Sequence, residues 1–249
     1  VVEIKIVNKY VRGNIHLTKV DSEYPDNKLT GATFEVYKDS NATGNLDDGD
    51  ELLGTLTEKE IGEYSMNDLF YGRYFVRETK APEGFVLDTG VYEVMIDTGG
   101  KTYEVENKAG VGFVNDAMRG NLKIVKTSSD GKVKGFAFRI TGANGYDIIL
   151  ETNDKGEIFI DGLRIGDYTI SEVSNSASSM YVIPADKKAT VKLGSTTIVE
   201  MHNVLRDTPK TGDTTNLPLL YALAGLSAVG IAVCGVIGFK KKKKEEDRN

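Results

Sequence analysis

Three residue types stand in this sequence where strand alternation calls for apolar side chains. Side chains along a β-strand alternate faces with period two. On that period Ile15 and Leu17 share a face with Lys19, and Leu122 and Ile124 share one with Lys126. Tyr74 and Val76 lead to Glu78 in the same way, and Tyr168 and Ile170 lead to Glu172. Val111 and Phe113 lead to Asn115, Val199 and Met201 to Asn203, and Ile4 and Ile6 to Asn8. A lone buried lysine is costly unless paired, so the pattern asks for a Lys, a Glu and an Asn that meet inside one core. Such a trio has chemistry available. Burial lowers a lysine pKa and leaves a neutral, nucleophilic amine. Burial raises a carboxyl pKa, so the acid can polarise an amide and carry a proton. The amine can then attack the asparagine side-chain carbon, expel ammonia and leave an isopeptide bond. That is self-processing, once per domain and without a cofactor, rather than enzymatic turnover.

The elements that position these residues come as an internal repeat. Asn8, Arg12-Gly13-Asn14 and Lys19 recur as Asn115, Arg119-Gly120-Asn121 and Lys126 with the same spacing. Gly31-Ala32-Thr33-Phe34 corresponds to Gly135-Phe136-Ala137-Phe138. Gly62-Glu63, Leu69, Gly72-Arg73-Tyr74 and Glu78 correspond to Gly156-Glu157, Leu163, Gly166-Asp167-Tyr168 and Glu172. Short alternating runs separated by turn residues predict an all-β fold without helical periodicity ahead of residue 208. The expected organisation is two copies of one β-domain, at 13–118 and 119–206, with 1–12 as the last strand of a truncated preceding copy.

The 249-residue chain carries a formal charge of −6. Its basic end, from Lys240 onward, holds six positive and three negative charges, so the remainder is acidic. That balance argues against nucleic acid or anionic lipid as a partner. The single cysteine, Cys234, excludes an intrachain disulfide, so any covalent staple must come from other chemistry. His16 and His202 are the only histidines and both alternate away from the Lys and Asn faces, so they build neither a catalytic triad nor a zinc set. Asp39, Asn41 and Asp50 open like a calcium loop, but Thr43 and Asp50 occupy positions where that loop wants a carboxylate-type ligand and a glutamate. A solvated acidic hairpin loop is the expected reading, with no cofactor.

The two copies resemble the Cna B-type, or SpaA-like, repeat domains of Gram-positive surface proteins. The resemblance rests on Leu17-Thr18-Lys19-Val20-Asp21, Ile124-Val125-Lys126, Gly31-Ala32 with Phe34, and above all Arg77-Glu78-Thr79 followed by Ala81-Pro82-Glu83-Gly84-Phe85. It covers nearly all of 1–206. It implies a prealbumin-like or inverse immunoglobulin-like sandwich, with lysine and asparagine from first and last strands and glutamate from a middle strand. Carried over residue by residue, these roles fall on Lys19, Glu78 and Asn115, and on Lys126, Glu172 and Asn203. The second copy departs from the pattern after its glutamate, with residues 174–179 in place of the Ala-Pro segment. Asn107 is a rival to Asn115, because Tyr103 and Val105 share its face; Asn115 alone keeps the eleven-residue spacing to the next lysine.

The C-terminal stretch resembles a sortase sorting signal: Thr208-Pro209-Lys210-Thr211-Gly212, then a linker to 216, an apolar run at 217–239 and a basic tail at 240–249. The run reaches about 35 Å as a helix, enough for a bilayer core of ~30 Å. The lysines place the C-terminus in the cytoplasm and everything before residue 208 outside. The resemblance implies sortase cleavage between Thr211 and Gly212 and transfer of Thr211 to a peptidoglycan-precursor or pilin amine, after transient membrane residence; Thr208 stands where the family has leucine. The sequence starts at Val1 without a secretory signal, so the expectation is the C-terminal part of a longer, wall-anchored precursor. Its stalk would serve a surface adhesin, with any host or matrix ligand bound further upstream. The alternatives are a basal or tip pilin and the stalk of a surface enzyme.

Overall fold

Each core is built by strands that bury every second residue. The computed structural model describes residues 9–207, so the sorting signal Thr208 to Gly212, the apolar run 217–239 and residues 1–8 lie outside the described residues. The first sandwich comprises β1 (Arg12–Asp21), β2 (Thr33–Lys38), β3 (Glu51–Thr55), β4 (Thr57–Glu60), β5 (Glu63–Phe70), β6 (Gly72–Lys80), β7 (Val91–Ile96), β8 (Thr102–Glu104) and β9 (Phe113–Asn115). One sheet runs β4-β5-β1-β8, with β9 also on β1; the other runs β3-β2-β6-β7. The second sandwich comprises β10 (Arg119–Ser128), β11 (Ala137–Thr141), β12 (Asp147–Glu151), β13 (Glu157–Arg164), β14 (Gly166–Val173), β15 (Tyr181–Val182), β16 (Lys187–Val191) and β17 (Thr196–Leu205). Its sheets run β13-β10-β17-β15 and β12-β11-β14-β16. Among the described residues the only helix is a 3-10 turn, Ala143–Gly145, and none is long and apolar enough to cross a membrane.

The repeated sequence signatures have structural causes. Asn14 and Asn121 sit at matching β-bulges, where each side-chain oxygen accepts an N–H from the neighbouring strand's end, Asp68 and Gly162 respectively, at 3.1 Å. Tyr74 and Tyr168 donate back to the carbonyls of Phe70 and Arg164, at 2.7 and 2.9 Å, fixing the turn ahead of each glutamate strand. Gly62 and Gly156 adopt φ of +72° and +76°, which favours glycine. A Cβ at either would lie within 3 Å of the Lys19 or Lys126 carbonyl oxygen. Their own carbonyls accept the backbone N–H of those same lysines at 2.7 Å. The glycine-glutamate signature therefore clamps the main chain of each lysine.

The copies differ at the last strand. β17 pairs in parallel with β10 without interruption from Asn121 to Ser128. In the first copy that strand is split: β8 pairs Asn14–His16, β9 pairs Lys19–Asp21, and residues 105–112 loop out between them. Val111, placed by alternation on the Asn115 strand, is instead in a turn whose main chain Lys108 accepts, so only Phe113 continues that face.

The sandwiches meet at a polar joint. Arg164 forks onto the Asp21 carboxylate at 2.5 and 2.8 Å and reaches Glu23 at 2.8 Å. Arg119 pairs with Glu23, and the Arg164 guanidinium lies over Tyr24, 4.8 Å from the ring centre. Met118 donates to Gly84 and accepts from Ile165, tying the linker to both sides.

Candidate functional site

Alternation carries Lys19 and Lys126 into the cores, where they are 0% and 1% exposed. In the first sandwich Lys19 opposes Phe113 in the parallel β1–β9 pair, so Asn115 lies one step further along the same face. In the second, Lys126 opposes Met201 and Asn203 follows in the same relation. Glu78 and Glu172 come from the facing sheet, where they sit opposite Phe34 and Phe138. All four acidic and amide groups are buried. Each core thus buries one lysine, one glutamate and one asparagine, with the asparagine amide on the glutamate carboxyl.

In the first site Asn115 Nδ2 donates to Glu78 Oε2 at 2.8 Å and to the Val86 carbonyl at 2.7 Å. The backbone N–H of Asp88 donates to the same Glu78 oxygen at 2.8 Å. Lys19 Nζ donates to the Phe113 carbonyl at 3.0 Å and lies 5.5 Å from the Phe113 ring centre. In the second site Asn203 Nδ2 donates to Glu172 Oε1 at 2.6 Å. Lys126 Nζ donates to the Thr127 carbonyl and stands 4.0 Å from the Phe136 ring centre. Asn115 Oδ1 and Glu78 Oε1 are buried without hydrogen-bond partners, and so are Asn203 Oδ1 and Glu172 Oε2. Buried polar atoms normally have partners, so orphans recurring at equivalent positions call for an explanation.

Burial moves both groups toward neutrality. It pushes the Lys19 amine down to about 8, against the opposing pull of Glu78, Asp88 and Asp21. It also lowers Lys126. Burial raises the carboxyls of Glu78 and Glu172, against the hydrogen bonds and lysines that favour their charged forms. Both shifts run toward the neutral amine and the neutral carboxyl, the forms that amine attack on an amide carbon requires.

Asn107 belongs elsewhere. Its amide donates to Asp88 Oδ2 at 2.6 Å and to the Val114 carbonyl at 2.8 Å, and accepts the Val114 N–H at 2.6 Å. Asp88 also accepts Tyr92 OH and the Gly90 N–H. Alternation could not assign roles to Val86 or Asp88, because both reach the site from a loop, Val86 through its carbonyl and Asp88 through its N–H and its carboxylate; the Ala-Pro segment just ahead of them is the nearest sequence signal.

The remaining candidates lie apart. Asp39 accepts the Gly44 N–H and faces Arg73; Asp50 accepts N–H groups of Ser40 and Asp47; Asn41 donates to Asp47. These side chains hold the loop's own turns. Among the described residues no cluster of three His, Cys, Asp or Glu could hold a metal ion. His16 contacts Glu63 and Glu104, and His202 contacts Thr127, on the outer surface.

A family described as SpaA, prealbumin-like fold domain, matches residues 13–109 and 120–204. The trypsin-resistant surface T6 protein of Streptococcus pyogenes serotype M6 is 28% identical over 194 residues, covering 76% of this chain and 32% of that protein. The structure of the TIE protein of Bacillus anthracis superposes with a TM-score of 0.58 at 24% identity, over 78% of this chain and 34% of that one, a likeness of fold. The minor pilin GBS52 of Streptococcus agalactiae aligns over 81% of this chain and 99% of that one, at 19% identity and a TM-score of 0.37. The chain spans about a third of the length of the T6 and TIE proteins.

Proposed function

Because the chain belongs to the SpaA family of prealbumin-like fold domains, we propose that it is the stalk and wall-anchoring region of a Gram-positive surface adhesin, its domains stapled by self-formed Lys–Asn isopeptide bonds. The observation that carries this reading is the recurrence, in both cores, of a buried lysine, glutamate and asparagine with the same orphaned amide and carboxyl oxygens. Neutral Lys19 Nζ attacks Cγ of Asn115. A proton passes from the amine through the Glu78 carboxyl to Nδ2, which that carboxyl already contacts. The Nζ–Cγ bond forms, the Cγ–Nδ2 bond breaks, and ammonia leaves. Lys126, Glu172 and Asn203 repeat the step in the second domain. No oxidant, metal or cofactor enters the balance, and each domain reacts once.

The position of the bonds suits a stalk. Each joins the first strand of its sandwich to the last, so tension passes from one domain to the next without unravelling either. A covalent base completes such a chain. Thr208 to Gly212 would supply it through sortase cleavage after Thr211, with 217–239 holding the precursor in the membrane until then. Peptide mapping tests the linkage: digests of the wild-type chain contain branched peptides joining Lys19 to Asn115 and Lys126 to Asn203. Lys19→Ala abolishes only the first and Lys126→Ala only the second. Linear peptides alone in the wild type would reject the reading.

A further inference from the structure

The two sites are not equivalent, and the difference lies in a loop. After Glu78 the first domain runs through 81–90 and back across the site. The Val86 N–H donates to the Asp116 carbonyl at 2.8 Å, and its own carbonyl accepts Asn115 Nδ2. Because a carbonyl needs a donor, Val86 fixes which end of the Asn115 amide faces Glu78. The leaving nitrogen is thereby held against the proton-carrying acid. Asp88 contributes its N–H to Glu78 and its carboxylate to Asn107, Tyr92 and the Gly90 N–H. Asn107 in turn grips both the N–H and the carbonyl of Val114, the residue before the reacting Asn115. The looped-out segment 105–112 is what brings Asn107 there. In the second domain the chain after Glu172 takes another path, and β17 is uninterrupted. Among the described residues Asn203 Nδ2 meets only Glu172, and Glu172 receives no backbone N–H.

We propose that Asp88 and Asn107 are positioning residues that hold Asn115 and Glu78 in reacting register, so that the first domain closes its linkage faster than the second. This rests on the Lys–Asn linkage itself. The cradle acts through geometry: a reacting group displaced by about 1 Å loses on the order of a hundredfold in rate. Asn107→Ala frees Val114 from both of its side-chain contacts. Asp88→Asn keeps one acceptor oxygen, so its new NH2 must face a donor, either the Gly90 N–H or the Asn107 amide.

The test is a time course of linkage in the whole chain made by cell-free synthesis, quenched in denaturant, digested, and read as the two branched peptides. The second site is the internal control. In the wild type the Lys19–Asn115 peptide appears before the Lys126–Asn203 peptide. Asn107→Ala and Asp88→Asn each slow the first by roughly ten- to a hundredfold and leave the second unchanged. If both sites slow equally, the residues support folding and the positioning role is overturned. It is overturned as well if Asn107→Ala links its first site at the wild-type rate, or if Lys19 is found joined to Asn107. Absence of both branched peptides in the wild type would defeat the underlying linkage and this proposal together, an outcome distinct from an unaffected variant.

Discussion

Glu78→Gln separates the chemistry from the packing. Both hydrogen bonds that Glu78 receives, from the Asp88 N–H and from Asn115 Nδ2, end on one oxygen, Oε2. A glutamine carbonyl in the same place accepts both. The other oxygen, Oε1, has no partner to lose. The substitution therefore preserves the observed hydrogen bonds while removing the ability to carry a proton. A linkage between Lys19 and Asn115 closes a loop of roughly 100 residues, worth about 4–5 kcal/mol if it constrains the unfolded chain as a disulfide does. For a domain of this size each kcal/mol moves the melting temperature by about 4–8 °C, so the loss should be roughly 15–40 °C. Differential scanning calorimetry reads it directly. The transition of the first domain falls by that amount in Glu78→Gln, while the second domain, with Glu172 intact, melts within a few degrees of the wild type. A first-domain shift of only a few degrees would refute the reasoning, as would loss of ammonia from the variant at the wild-type rate.

Three further outcomes can be measured. Asn115→Ala leaves Lys19 as a free buried amine with a folded pKa lowered to about 8. Between about 8 and the ordinary value of 10.5 the unfolded chain then binds more protons than the folded one, so the stability of this domain rises with pH across that window. Urea unfolding at several pH values should show the rise in Asn115→Ala and not in the linked wild type. Arg164→Ala strips the bidentate partner from Asp21, which is 2% exposed and keeps only N–H groups of Glu23 and Tyr24. Breaking such a pair costs about 3 kcal/mol. Urea titration of Arg164→Ala, Asp21→Asn and the double variant should return most of that as coupling energy. Thr211→Ala protein should move from the wall fraction to the membrane fraction of cells expressing the precursor; an unchanged distribution would leave 208–249 as a plain anchor.

Strand alternation made the buried Lys, Glu and Asn legible because burial on one face leaves a two-residue period that such a residue visibly breaks. The repeat added a second reading of the same face, so Lys19 and Lys126 each vouched for the other. What alternation could not convey is the part of the site made of main chain. The Val86 carbonyl and the Asp88 N–H carry no side-chain signature. The looped-out segment 105–112 shifts register between β8 and β9, which is why both Asn107 and Asn115 satisfied the period while only Asn115 reaches Glu78. For the same reason Val111 was placed on a strand and lies in a turn. The joint was equally hidden: Arg164 and Asp21 are far apart in sequence, and nothing in the charge pattern pairs them.

The central claim is that each core reacts with itself, and mass is its most direct measure. Intact-mass measurement of the purified wild-type chain under denaturing conditions should give the sequence mass less two molecules of ammonia. Lys19→Ala and Lys126→Ala chains should each fall short by one. A wild-type mass equal to that of the sequence would contradict the account, leaving two buried lysines without chemistry to justify them.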